Sequence, residues 1–215
     1  MNALSSIKSV LISLSASKSD NEAEEVVINR YVPESVESMC RQTHYTPREV
    51  RMIYRAFKQE CPTGIVYEQQ FKELYSQYFP LGDARPFSGL LFSNIDHNRN
   101  GWITFEQFIC SMSLLTRGTL SEKLRWVFNL YDLNGDGFIS RDELTNVVVA
   151  VHALLGTHTL PTLLDNTARN HVQRIFKKMD LDNDGRIGVE DFTEACLADP
   201  KIKASMCGLF DSTML

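Results

Sequence analysis

The sequence predicts an all-α fold in which four helix–loop–helix units pair into two lobes, each pair joined by a short two-stranded ribbon between its loops. Two observations carry this. A glycine followed two places later by a β-forming residue recurs as Gly64/Val66, Gly101/Ile103, Gly137/Ile139 and Gly185/Ile187. Each of these loops follows apolar residues three and four apart, the stripe of an amphipathic helix. A unit this small cannot cover its apolar face alone, so the repeat implies pairing, with Val66, Ile103, Ile139 and Ile187 placed to form the ribbons.

The third loop, Asp132–Glu143, shows what the loops are for. Its odd places offer the side chains of Asp132, Asn134 and Asp136, the carbonyl of Phe138, and Ser140 through a water; Glu143 stands twelfth. Gly137 is sixth, where the chain must turn sharply. Calcium takes six to eight oxygens, and a twelfth-place Glu is long enough to give both of its own, so the pattern is that of an EF-hand calcium loop. Leu124, Val127, Phe128 and Tyr131 form the entering stripe. Ser140 and Glu143 make a capping box that starts the exit helix inside the loop.

Taken in order, residues 1–30 read as a separate, serine-rich arm with an acidic patch at Glu22, Glu24 and Glu25. Leu4, Ile7, Leu11 and Leu14 would share a helix face able to lie on a membrane or fill a partner's groove; the plainer alternative is a disordered leader. VLISL at 10–14 is shorter than the apolar core of a signal peptide. No Gly follows Met1, so N-myristoylation is not expected. Residues 34–116 are expected to form the first lobe. Thr46-Pro47-Arg48-Glu49 combines an N-cap, a helix-starting proline and a capping-box glutamate, followed by the stripe Val50, Ile53, Tyr54, Phe57. The first loop, 59–70, puts Gln59, Cys61, Thr63 and Gln70 at ligand places, with Pro62 stiffening the turn, and is expected to bind no calcium. The second, 96–107, follows Leu91, Phe92 and Ile95. It offers Asp96, Asn98, Asn100 and Thr104 but ends on Gln107, which has one oxygen to give; this site is expected to be weak or vacant, with Glu106 pointing away.

Thr116-Arg117-Gly118 breaks the pattern and is the expected hinge before the second lobe, 119–215, which holds the metal-binding loops and a C-terminal helix. After the third loop, Val147–Val151 has strand-like composition, but Leu144, Val148 and Val151 on one face favour helix. An extra segment, 156–167, separates the last two units. The fourth loop follows Val172, Ile175, Phe176 and Met179. Asp180, Asp182, Asp184, the carbonyl of Arg186 and Asp191 are its ligands. Asp191 is a methylene shorter than Glu, so a six-oxygen shell that suits Mg2+ as well as Ca2+ is expected.

The net charge of −5 argues against a surface built for nucleic acid. Five cysteines, an odd number without metal-ligand spacing, fit a reducing cytoplasm. No apolar run is long enough to span a membrane. The histidines stand near no nucleophile or metal constellation, so no enzyme is expected. Cys61 reads as a structural thiol, its loop position leaving a redox role as the alternative. Trp102 is either a partner contact or lobe packing.

On Glu60-Cys61-Pro62-Thr63-Gly64, YSQYFPLGDA at 75–84, RGTLSEKLRWVFNLYDLNGDG at 117–137 and LLGTHTLP at 154–161, the chain resembles the neuronal calcium sensor family, most closely its Kv-channel-interacting (calsenilin-like) branch, over residues 34–215. The resemblance implies an N-terminal lobe with an apolar groove that holds the cytoplasmic N-terminal helix of an A-type voltage-gated potassium channel. It also implies membrane association through that partner, at the inner face of the plasma membrane, and leaves oligomers open. Sibling branches regulate guanylate cyclase, receptor kinases or lipid kinases, and one relative resembles a transcriptional repressor. The missing myristoylation site, Gln107 and Asp191 depart from the family pattern. The aromatics crowded into the first lobe, Tyr54, Phe57, Phe71, Leu74, Tyr78, Phe92 and Phe108 with Tyr75, Phe79 and Leu115, are the groove candidates; part of this set must be core. The functional expectation is a calcium sensor with this groove for an amphipathic helix; a calcium buffer is the alternative.

Overall fold

The computed structural model describes residues 31–156 and 166–207. The strip at Leu4–Leu14 and most of the 156–167 segment lie outside them. Among the described residues the chain forms ten helices and two ribbons. In the first half these are α1 (Val36–Gln42), α2 (Pro47–Glu60), β1 (Ile65–Tyr67), α3 (Glu68–Ser76), α4 (Arg85–Ile95), β2 (Trp102–Thr104) and α5 (Phe105–Arg117). The second half holds α6 (Leu120–Tyr131), β3 (Phe138–Ile139), α7 (Arg141–Leu155), α8 (Asn166–Met179), β4 (Ile187–Gly188), α9 (Val189–Ala198) and α10 (Pro200–Cys207).

The helices start where short-range chemistry dictates. Thr46 with Glu49, and Ser140 with Glu143, close the two capping boxes legible in the sequence. Thr104 with Gln107 and Thr119 with Glu122 close two more. In each, a hydroxyl accepts an orphan N–H of the first turn while the third residue's side chain accepts the N-cap N–H. The ribbons form as the repeat requires: Val66 stands opposite Ile103 and Ile139 opposite Ile187, both pairs antiparallel. All four are buried, so each ribbon ties two loops together and seals the top of its lobe's core. The sixth-place glycines Gly64, Gly101, Gly137 and Gly185 have φ of 88, 85, 88 and 86°, the left-handed region where a Cβ is strained.

Below the ribbons the stripes converge. Leu124, Val127, Phe128 and Tyr131 on α6, and Val172, Ile175, Phe176 and Met179 on α8, are all buried. Residues 147–151 are helical, within α7. The buried face of α7 is not the one expected, however. Leu144, Val147, Ala150 and Leu154 are buried, while Val148 and Val151 are only partly so. The reason is that α7 packs against α8 of its own lobe and against α4 of the other, so apolar residues are needed on more than one face.

That contact joins the lobes closely. The Asp83 N–H donates to the Ala153 carbonyl at 2.8 Å. A Cβ on Gly82 would stand 2.2 Å from the Leu154 carbonyl oxygen, and one on Gly156 would stand 2.2 Å from that of Leu81. Near the lobe junction, the Arg117 guanidinium pairs with Glu49, donates to the His44 carbonyl at 2.8 Å and lies 4.5 Å from the Tyr45 ring centre.

Candidate metal centre

The loops divide by how their oxygens are used. In the first loop two side chains donate to the loop's own carbonyls. The Lys58 ammonium donates to the Pro62 carbonyl, and the twelfth-place Gln70 amide donates to the Glu60 carbonyl at 3.0 Å. Cys61, whose loop position raised a redox role, is buried. Burial first, and the charge of Glu60 second, push its thiol up to about 12, so little thiolate exists near neutral pH.

In the second loop Asp96 is the one carboxylate at a ligand place, and it holds its turn as Asp132 does in the third. Buried Asp96 accepts the N–H of Asn100 at 3.3 Å and of Gly101 at 2.8 Å. The Asn100 side-chain Oδ1 accepts the Trp102 N–H, and Gln107 is taken up by the capping box with Thr104. Asn98 is exposed. Glu106 turns away, its carboxylate accepting the Tyr31 hydroxyl at 2.9 Å and the Glu34 N–H at 2.6 Å. Trp102 is 37% exposed and stands across the ribbon from Tyr67 at 52%, so it lies outside the core.

In the third loop the short acidic side chains fold the backbone around themselves. Asp132 accepts N–H groups of Gly135, Asp136 and Gly137 at 2.9, 3.1 and 2.9 Å. Asn134 accepts that of Asp136, and Asp136 that of Phe138. Glu143 is buried. One of its oxygens accepts the Ser140 N–H and hydroxyl at 2.8 and 2.7 Å; the other reaches across to the Asn134 N–H at 3.1 Å. Among the described residues no basic side chain pairs with this buried carboxylate, and a cation in the loop would offset the cost of burying its charge.

The fourth loop gathers charge most tightly. One carboxylate oxygen each from Asp180, Asp182 and Asp184 lies within 4.8 Å of the others. Asp180 Oδ2 accepts the Gly185 N–H at 3.2 Å, while its buried Oδ1 has no hydrogen-bond partner. Asp191 stands outside that triad, its carboxylate accepting the Gly188 N–H. Burial, and then the charges of Asp182, Asp180 and Asp184, hold its carboxyl above the ordinary range. An orphaned buried oxygen among crowded carboxylates fits a divalent cation. Arg186 lies 3.6 Å from Asp184 and over the Phe138 ring, 4.3 Å from its centre, which leaves its carbonyl as its contribution to the loop.

The groove candidates sort by burial. Phe57, Phe71, Phe92 and Phe108 are buried core residues, with Phe57 and Phe108 rings 5.1 Å apart and Phe71 and Phe92 5.7 Å apart. In this structure they pack as two ring pairs inside the lobe's core rather than on its surface. Tyr75 and Leu115 are buried too, whereas Tyr54, Leu74, Tyr78 and Phe79 are partly exposed around that core. No helix among the described residues is long and apolar enough to cross a membrane. With this geometry in place, the sequence match agrees: residues 121–197 match the family described as an EF-hand domain pair, and this part of the chain is an EF-hand calcium-binding unit.

Proposed function

We propose that the protein is a calcium-sensing regulatory subunit whose second lobe binds the ion and whose first lobe holds a target helix. The carrying observation is the division between loops: in the first, Lys58 and Gln70 donate to the loop's own carbonyls, while the fourth leaves a buried Asp180 oxygen unpartnered among three carboxylates. In the third loop Asp132, Asn134, Asp136, the Phe138 carbonyl, Ser140 through water and both oxygens of Glu143 are the ligands. In the fourth they are Asp180, Asp182, Asp184, the Arg186 carbonyl and Asp191, a set that accepts Mg2+ as well as Ca2+. When bound, the ion neutralises these carboxylates and draws each exit helix toward its loop.

The partner is an amphipathic helix anchored at i, i+3, i+4 and i+7, and the partly exposed ring of Tyr54, Leu74, Tyr78 and Phe79 is the candidate contact. The resemblance to the Kv-channel-interacting branch makes the cytoplasmic N-terminus of an A-type potassium channel the first target to test, at the inner face of the plasma membrane. A peptide of that segment, titrated with calcium and with chelator while hydrophobic-dye fluorescence is recorded, tests the reading. A sensor gives calcium-dependent dye binding and peptide affinity. A buffer binds calcium with neither.

A further inference from the structure

We propose that the recess between the second and third loops is a calcium-gated binding site for an acidic peptide segment, an inference that rests on the reading that the third loop binds calcium. The recess has a volume of about 860 Å³ and is bordered by both loops, α4, α6 and the start of α9. Its floor includes Leu90, Leu133 and Val189, all partly buried apolar side chains. Two exposed guanidiniums, Arg99 from the second loop and Arg125 from α6, stand at its rim. Among the described residues neither meets a carboxylate.

Arg99 is placed there by its backbone. Its φ of 50° is the left-handed turn that the fourth place also takes in the third and fourth loops, at Gly135 (75°) and Asn183 (60°). Its Nη2 lies 3.8 Å from where a Cβ on Gly135 would stand, so the second loop's cation abuts the third loop's turn.

The acidic groups bordering the recess are already engaged. Glu68 pairs with Lys72 at 2.6 Å. Asp96 is filled by the N–H groups of Asn100 and Gly101, and Asp132 by those of Gly135, Asp136 and Gly137. With Lys72 beside Glu68, these three carboxylates stand against three cations, and the named charges balance without metal. A divalent cation on Asp132 adds positive charge at this border and makes the recess more favourable to anions. A guanidinium fork recognises a carboxylate with two parallel hydrogen bonds, and the apolar floor beside it suits a neighbouring aliphatic side chain. A peptide segment fits this concave space, whereas a flat bilayer surface cannot enter it.

The test uses the full chain and a fluorophore-labelled, end-capped hexapeptide alternating Glu and Leu, followed by anisotropy. Calcium is expected to tighten binding at least ten-fold over chelator. The double variant Arg99→Gln/Arg125→Gln should lose at least ten-fold in calcium, with its circular dichroism unchanged, and Glu143→Gln should abolish the calcium enhancement. Equal affinity for wild type and the double variant would overturn the site, and Arg-dependent binding that calcium leaves unchanged would overturn the gating. Arg-dependent capture of phosphatidylserine vesicles without peptide binding would overturn the peptide assignment. Calorimetry on the same samples separates the two levels. If the underlying reading fails, the third-loop calcium heat is missing from wild type; if only this proposal fails, that heat is intact and Arg-dependent peptide binding is absent.

Discussion

The guanidinium of Arg186, seventh in the fourth loop, lies over the ring of Phe138, seventh in the third, 4.3 Å from its centre. This contact runs beside the Ile139–Ile187 pair, so the third and fourth loops are joined by backbone, core and cation–π contacts at once. Occupancy of one loop should therefore be felt at the other. Phe138→Leu keeps an apolar side chain and removes the ring face. It is expected to cost about 0.5–1 kcal/mol in urea unfolding and to lower the Hill coefficient of calcium binding. A variant with wild-type cooperativity would show that the ribbon alone couples the loops.

On the proposed reading, the length of Asp191 is expected to set the fourth loop's selectivity. Its carboxylate caps the Gly188 N–H and stands apart from the Asp180, Asp182 and Asp184 triad. Asp191→Glu adds the methylene needed to reach the ion with both oxygens, which favours the larger shell of calcium over the six-oxygen shell of magnesium. Competition titrations should show the calcium-to-magnesium affinity ratio rising by about ten-fold or more, which corresponds to about 1.4 kcal/mol. An unchanged ratio would mean that twelfth-place length does not set selectivity here.

The lobe contact makes a separate prediction. Gly82→Ala would drive a methyl against the Leu154 carbonyl, and backbone cannot swing aside as a side chain can. A cost of about 1–3 kcal/mol is expected, in the range of overpacked sites, visible as a lower thermal midpoint. A midpoint equal to wild type would show that the lobes part easily at this contact.

Much of this was legible beforehand because it is local. Capping boxes, sixth-place glycines and β-forming eighth residues act within a few positions of one another, and the ribbons pair residue for residue as the repeat demands. What escaped the sequence is long-range. Phe57, Phe71, Phe92 and Phe108 have the composition of a groove and the burial of a core, and only tertiary packing separates the two. The lobe contact was half visible: the stretches around Gly82 and Gly156 stood out as motifs, but nothing in either says that they meet. Gln107 was read only as a twelfth-place residue, and its other use, capping α5, was missed although Thr104 three places earlier supplies the signal.

Arg117 and Glu49 give the structure a pH signature. The Arg117 hydrogen bond first, then those from Thr46, lower the Glu49 carboxyl from 4.5 to about 2. A carboxylate whose folded pKa is depressed stabilises the fold above its unfolded value. That contribution is lost as pH falls through the folded one. Wild type should therefore exceed Glu49→Gln in stability above about pH 4.5, and the gap should close as pH approaches 2. Urea unfolding at a series of pH values measures it; a gap that persists undiminished down to pH 2 would place the stabilisation elsewhere than in this charge.

Calorimetric titration of calcium into wild type and Glu143→Gln tests the central claim most directly. Sensor loops of this kind bind at about 10⁻⁷–10⁻⁵ M. Wild type should take up two ions per chain in that range or just above it, and Glu143→Gln should lose the tighter of the two while the Asp180 loop still binds. A tight phase unchanged in the variant, or more than two ions bound by wild type, would contradict the assignment of the sites to the third and fourth loops.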